Sequence, residues 1–423
     1  MGAFQDFLIL FSFLIEVGVL FYLEKKAWNT LYTPLNFLML PYLAVLLVSI
    51  AISGKSGFVE FYYPSILLWS VGLLLFAIPD LSLAIASRKT AVSSGGAFAA
   101  ANDIDDTIPP VFTYIGIALV LMFAYRLRQT IGSSAYIIGS DDFAEEFAGF
   151  GFWGHLKRFS SVMLMIYIYY LNRNQKWLWF FIIAFMGVSV INMVKGTMII
   201  PCVVGVMMRL ASGRMKITWR FIAILLLSSV AVFFVTFLIA IVVVNEMEVD
   251  GQVILYIFQR FVHYFTSGTL GLSMDMELNF PDRGNFDIIM APFINIINQV
   301  TGNSEIISPV NPVYHFTGIS LTNVRTVFGT LFIYTGYLQF ALYVMGLSLF
   351  CYFLKILGDR FPNVFTNLIY YYFCALLAMG WFEFYFFHLD IIEIPVMIIL
   401  LHIIDWTLVG RTHGIQAVAG TVN

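Results

Sequence analysis

Apolar runs of about 18 to 24 residues recur from one end of this chain to the other, each long enough to cross a hydrocarbon core of roughly 30 Å. A soluble core has no room for so many of them. The runs are continuous rather than alternating, which excludes a closed β-barrel. Charged residues make up only 11% of the 423, against about 25% in an ordinary soluble domain. The sequence therefore predicts an all-α polytopic membrane protein with about eleven transmembrane helices. They form a single integral membrane domain over 1–423, interrupted by one large external loop, 245–329, that carries interfacial helices.

The spans are expected at Phe4–Leu23, Pro34–Ile52, Ser65–Ala86, Pro110–Tyr125, Leu156–Leu171, Trp177–Val194, Thr197–Met208, Phe221–Val244, Thr330–Leu354, Asn363–Phe387 and Ile391–Val409, with Pro79-Asp80 breaking the third. The first lacks a basic leader and a small-residue cleavage site, so it reads as a retained helix. Cys202, Cys351 and Cys374 all fall inside apolar spans and read as small buried hydrophobes, not as a disulfide framework.

Basic residues between spans set the orientation. Placing Arg209, Arg214, Lys216 and Arg220 in the cytoplasm also places Lys25, Lys26, Arg88, Lys89, Arg173, Lys176, Lys355, Arg360 and Arg411 there. The N-terminus is then outside and the C-terminus inside. Arg126, Arg128, Lys157, Arg158, Lys195, Arg260, Arg283 and Arg325 run against the rule on the outer side. Such groups either hold an anionic ligand or meet lipid headgroups and the acids Asp141, Asp142, Glu145 and Glu146. Lys195 is the sharper case. The run from Gly196 to Met208 spans only about 20 Å of helix, some 10 Å short of a bilayer core, so the Lys195-Gly196-Thr197 junction is expected to sink below the outer surface. A lysine there needs a wet cavity, an anion, or a route to snorkel to the interface.

Polar chemistry concentrates in the large loop. Gln252, Tyr256, Arg260 and His263 follow at spacings that put them on one face of a helix over Gln252–Phe265. That helix is expected to lie at the membrane surface with its polar stripe toward a cavity. Arg260 suits a phosphate by its forked donors, and His263 can exchange a proton near neutral pH. Phe286–Val300 is a second candidate interfacial helix. An irregular stretch leads from it to His315 and then to Ser320–Gly329, where Asn323, Arg325 and Thr326 gather at a helix entry. Helix N-termini and arginine both favour phosphate oxygens; Ser, Thr and Asn also serve as ordinary caps.

Several motifs carry no weight. Gly149-x-Gly151-x-x-Gly154 matches the dinucleotide fingerprint, but no strand precedes it. Asp103-x-Asp105-Asp106 resembles a metal-binding acidic pair without the nucleotide-binding domain that should accompany it. Asp275 and Glu277 lack further spaced ligands. No Walker, zinc or serine-nucleophile motif is present, and no internal repeat marks a two-halved transporter.

Three short patterns, set in this layout, resemble one family. They are Gly151-Phe-Trp-Gly-His155 opening a span after an acidic outer segment, the basic residue of Lys195-Gly196, and Thr322-Asn-Val-Arg-Thr326 followed by Tyr334-Thr-Gly336. Over nearly its whole length the chain is similar to the bacterial O-antigen and oligosaccharide repeat-unit polymerases. It departs from them where Tyr334-Thr335 stands in place of a common Asp, so no role for that acid carries over. The resemblance implies a glycosyltransferase of C-type architecture in the bacterial inner membrane. It would join undecaprenyl-diphosphate-linked repeat units at the outer face, without cofactor, metal or nucleic acid. Its partners would be the lipid-linked donor and acceptor, membrane lipid and a separate chain-length regulator.

In that chemistry His263 or His315 would be the general base, with Asp275 or Glu277 as alternatives. Lys195, Arg260 and Arg325 would stabilise the diphosphate, with Arg283, Asn323, Thr326 and Tyr256 in the binding site. A ligase that moves a finished glycan onto a lipid core differs only in its acceptor. A lipid-linked oligosaccharide transporter or flippase would instead want charges spread through a central pathway. An acyltransferase would want a deep histidine, and His388 and His402 are the nearest to that.

Overall fold

The computed structural model describes residues 2–55, 57–90, 107–133, 140–149, 151–192, 195–239, 250–278 and 285–419. Its helices are α1 (Ala3–Trp28), α2 (Pro34–Ile52), α3 (Ser65–Thr90), α4 (Pro110–Ser133), α5 (Asp141–Ala148), α6 (Gly151–Tyr170), α7 (Leu178–Ile191), α8 (Lys195–Ala211), α9 (Trp219–Ile239), α10 (Gly251–Glu277), α11 (Ala291–Thr301), α12 (Val327–Tyr334), α13 (Tyr337–Arg360), α14 (Val364–Ala378) and α15 (Asp390–Ala419). A short antiparallel hairpin, β1 (His315–Phe316) with β2 (Leu321–Thr322), precedes α12. Among the described residues, six helices are long and apolar enough to cross a membrane, and α7, α14 and most of α8 are shorter apolar helices. The chain is an α-helical membrane protein.

The chain divides into two compact units. The first comprises 1–97, 250–362 and 373–391, and so holds α1–α3, α10–α13 and the hairpin. The second comprises 98–249, 363–372 and 392–423, and holds α4–α9 and nearly all of α15.

In the first unit α3 packs against α1 and α13, α2 lies against all three, and α10 packs against α2 and α3. Trp69 and Phe76 of α3 are fully buried, as are Tyr42 of α2 and Tyr352 of α13. The helix α3 does not break at Pro79; it runs through to Thr90. Ser348 of the neighbouring helix α13 donates to the Phe76 carbonyl at 2.5 Å and ties α13 to this stretch of α3.

Two expected spans end differently. Thr330–Leu354 is two helices, α12 and α13, parted where Thr335 turns extended and its hydroxyl folds back on the Leu331 carbonyl at 2.6 Å. Asn363–Phe387 is α-helical only to Ala378; Gly380 then turns the chain, its carbonyl accepting from Val327 N at 2.7 Å, and Tyr385–Phe387 forms one 3-10 turn. The helix expected over Gln252–Phe265 is 27 residues long and continues to Glu277.

In the second unit α6 packs along α7 and α8. A Cβ at Gly205 of α8 would fall 2.6 Å from the Ile168 side chain, so glycine sets how closely those two helices approach. Phe123, Phe143, Phe147, Ala148 and Val188 form a buried cluster. Arg126, expected on the outer side against the charge rule, donates to the carbonyls of Glu146 and Phe147 at the end of α5. There it acts as a helix C-terminal cap. Arg158 and His155 converge on Glu393, at 3.0 and 2.8 Å.

Candidate functional site

The polar groups of the large loop meet in the first unit, along one face of α10. That helix starts at Asp250, whose side chain accepts from Val253 N at 2.8 Å. Its first turns expose Ile254, Leu255 and Phe258, and burial sets in around Ile257 and His263. From Thr266 to Asp275 nearly every residue is buried, although the run is hydroxyls, glycines and few large apolar groups. Small side chains let backbone approach closely. A Cβ at Gly271 would lie 2.7 Å from the Val324 carbonyl oxygen, and one at Gly268 would lie 2.7 Å from that of Trp381.

The hairpin docks on this face. Its tight turn needs Gly318, at φ 92° and against the backbone of Gly57, and Val59 N donates to the Thr317 carbonyl at 3.1 Å. Strand alternation turns His315 and Thr322 inward as a register pair, while Phe316 and Leu321 are exposed. Arg260 donates to the Ser320 hydroxyl and lies over the Tyr256 ring, 5.8 Å from its centre. One turn on, His263 Nδ1 sits 2.8 Å from the Thr317 hydroxyl. That hydroxyl donates to the Ser320 carbonyl at 3.0 Å, which makes Nδ1 the donor in the first contact. Burial, and next the Arg260 charge, push His263 down to about 4, with a backbone hydrogen bond at Leu321 working the other way. His263 is thus a neutral, weakly basic fastener of the hairpin.

The centre of the cluster is Asp275. Arg325 donates through Nε to Oδ2 and through Nη2 to Oδ1, the latter at 3.2 Å, and His315 Nε2 meets Oδ1. The Arg325 side chain is fully buried, that of Asp275 3% exposed and that of His315 10%. A buried ion pair recovers its desolvation cost only with good geometry and further hydrogen bonds, and the two-pronged guanidinium–carboxylate contact supplies both. With Oδ1 accepting from Nε2–H, the imidazole is held in the tautomer whose Nδ1 carries the lone pair.

Around this core Tyr334 donates to Asn311 Oδ1 at 2.9 Å, and Asn323 donates to the Asn311 carbonyl at 3.2 Å. Burial, reinforced by the Asp275 charge and opposed by Arg325, pushes Tyr334 up to about 12. Thr326 caps α12, accepting from Gly329 N at 3.2 Å and from Trp69 Nε1 at 3.0 Å.

Arg260, His263, His315, Asn323, Arg325, Thr326 and Tyr256 therefore belong to one neighbourhood, but with altered duties. Arg325 is spent on Asp275 rather than offered to an anion. Thr326 serves as a cap. Asp275 proves central, and Tyr334 together with Asn311, which no local pattern singled out, completes the surroundings. Arg283 lies outside the described residues, as do the side chain of Lys195 and the acids Asp103, Asp105 and Asp106. Among the described residues, no three of His, Cys, Asp and Glu converge as metal ligands.

No curated protein and no solved structure matches this chain significantly. The model of a family of unknown function, DUF6337, matches residues 57–409, which include the whole of this cluster and most of the chain, and the protein belongs to that family.

Proposed function

We propose that this protein is a membrane glycosyltransferase that polymerises lipid-diphosphate-linked oligosaccharide repeat units at the outer face of a bacterial inner membrane. The observation that carries this reading is the buried Arg325–Asp275 pair engaging His315 on the hairpin. A carboxylate fixed on one imidazole nitrogen orients the ring and stabilises its protonated form, which is what a general base needs to activate a hydroxyl. His315 Nδ1 takes the proton of the acceptor sugar hydroxyl. The hydroxyl oxygen bonds to the anomeric carbon of the donor glycan. The bond from that carbon to the diphosphate oxygen breaks, and its electron pair leaves with the diphosphate. Arg260, held on Ser320 of the hairpin that carries His315, stabilises that charge.

The finer architecture belongs to the same reading: about eleven crossings, a C-type arrangement, N-terminus outside and C-terminus inside, and a separate chain-length regulator as partner. Surface-polysaccharide gels from cells lacking this gene, complemented with the wild type or with His315→Ala, test it. A polymer ladder restored by the wild type and replaced by a single repeat unit in the variant supports it. Finished polymer accumulating on the lipid carrier would point to a ligase, and repeats trapped on the cytoplasmic face to a flippase; either result overturns polymerisation.

A further inference from the structure

A second buried polar cluster lies in the first unit, built by α1, α2, α3 and α13. Glu24, Asp80 and Tyr352 are each fully buried. Trp28 Nε1 donates to Asp80 Oδ1, and the Tyr352 hydroxyl donates to Glu24 Oε1 while accepting from Leu35 N at 3.3 Å. The Trp28 and Tyr352 rings stack, 5.3 Å between centres, and so bring the two carboxyls they hold to one place. The remaining carboxyl oxygens, Glu24 Oε2 and Asp80 Oδ2, are both buried and without a hydrogen-bond donor.

The donors at this junction are accounted for. The single Tyr352 hydroxyl proton goes to Oε1 and the Trp28 N–H to Oδ1. Lys355 is committed to Asp359 at 2.6 Å and lies over the Trp28 ring, 4.9 Å from its centre. The first turn of α2 contributes the Leu35 N–H. The titratable or charged groups these bonds join are Glu24 on α1, Asp80 on α3, and Tyr352, Lys355 and Asp359 on α13. Two carboxylates in contact repel, whereas a carboxylic acid facing a carboxylate makes a strong, charge-assisted bond. A buried acceptor with no donor is costly, and one proton between Oδ2 and Oε2 satisfies both oxygens at once.

We infer that Glu24 and Asp80 hold one proton between them, so that the α1–α3–α13 junction is a proton-binding site separate from the His315 cluster. The shared proton fastens α1 to α3, the two helices that carry the carboxyls. Its release would set two negative charges in contact and loosen that junction.

Infrared difference spectra of the full chain in detergent, wild type minus Asp80→Asn, read the proton directly. A protonated-carboxyl carbonyl band at neutral pH in the wild type, absent from Asp80→Asn, is the expected result. Glu24→Gln, which keeps a donor facing Asp80, removes the same band and serves if the first variant fails to fold. Asp80→Asn should also melt less steeply with rising pH, because its amide supplies the bond without a titrating proton. Absence of the band from both difference spectra would overturn the inference. A missing band with a sodium-dependent rise in melting temperature would overturn it too, by placing a metal cation between two carboxylates.

Discussion

Gly271 of α10 faces Arg325 across a gap too small for a methyl group. A Cβ there would lie 2.9 Å from Arg325 Nη1 and 2.7 Å from the carbonyl oxygen of Val324. The first neighbour can move, but the second is backbone and holds the segment that delivers Arg325 to Asp275. Gly271→Ala should therefore destabilise by about 1–3 kcal/mol, the usual cost of overpacking a tight site. Gly346→Ala, in α13 with open space around it, should be neutral or stabilising by roughly 0.5–1 kcal/mol, as glycine gives way to alanine in a helix. Thermal unfolding of both variants in the same detergent makes the comparison, and equal effects would remove the close-approach argument.

Breaking the Arg325–Asp275 pair from one side should be far worse than removing it. Arg325→Met leaves the Asp275 carboxylate buried with His315 as its remaining partner, a loss of about 3–5 kcal/mol by analogy with other truncated buried pairs. Arg325→Met combined with Asp275→Leu leaves no stranded charge and should recover most of that. A double-mutant cycle gives the coupling directly. Additive losses would mean the two groups do not depend on each other.

Two titrations of opposite sign act on stability between about pH 4 and 7. His263 is held down, from 6.5 to about 4, so the unfolded chain binds its proton first. Its contribution is complete above 6.5 and is lost as the pH falls toward 4. Burial raises Glu383, in the turn after α14, from 4.5 to about 7. Its contribution is complete below 4.5 and is lost as the pH climbs toward 7. The wild type should show a shallow profile because the slopes oppose. His263→Gln should leave stability falling with pH, and Glu383→Gln should leave it rising. Parallel profiles for the two variants would contradict both assignments.

How much of this was legible follows from how far apart the partners lie. Pro34–Ile52 is bounded as the sequence suggests, because proline opens it and Ser53-Gly54 follows it. The stripe of Tyr256, Arg260 and His263 was legible because one helix turn relates its members. The continuation of α10 was not. Thr266–Asp275 has the composition of a loop, and as a helix it admits the Val324 carbonyl against Gly271 and the 381–382 backbone against Gly268. Nor could spacing join Asp275 to His315 and Arg325, which lie 40 and 50 residues away. Arg325 looked like an anion ligand because its buried partner is invisible in local sequence.

In the proposed reaction Arg260 is the described cation assigned to the leaving diphosphate, and its anchor separates charge from position. Its contacts include the Ser320 hydroxyl and the Tyr256 ring, both on or beside the hairpin that carries His315. Arg260→Ala removes the charge and should slow repeat-unit transfer in membrane vesicles by about 10²–10³-fold, the range for losing one transition-state donor. Ser320→Ala keeps the charge but frees the side chain, and several-fold slowing is expected. Arg260→Lys should fall between them, since an ammonium supplies charge without the fork. If Ser320→Ala were as damaging as Arg260→Ala, the guanidinium would be a hairpin strut, and the diphosphate would have to be met by another cation.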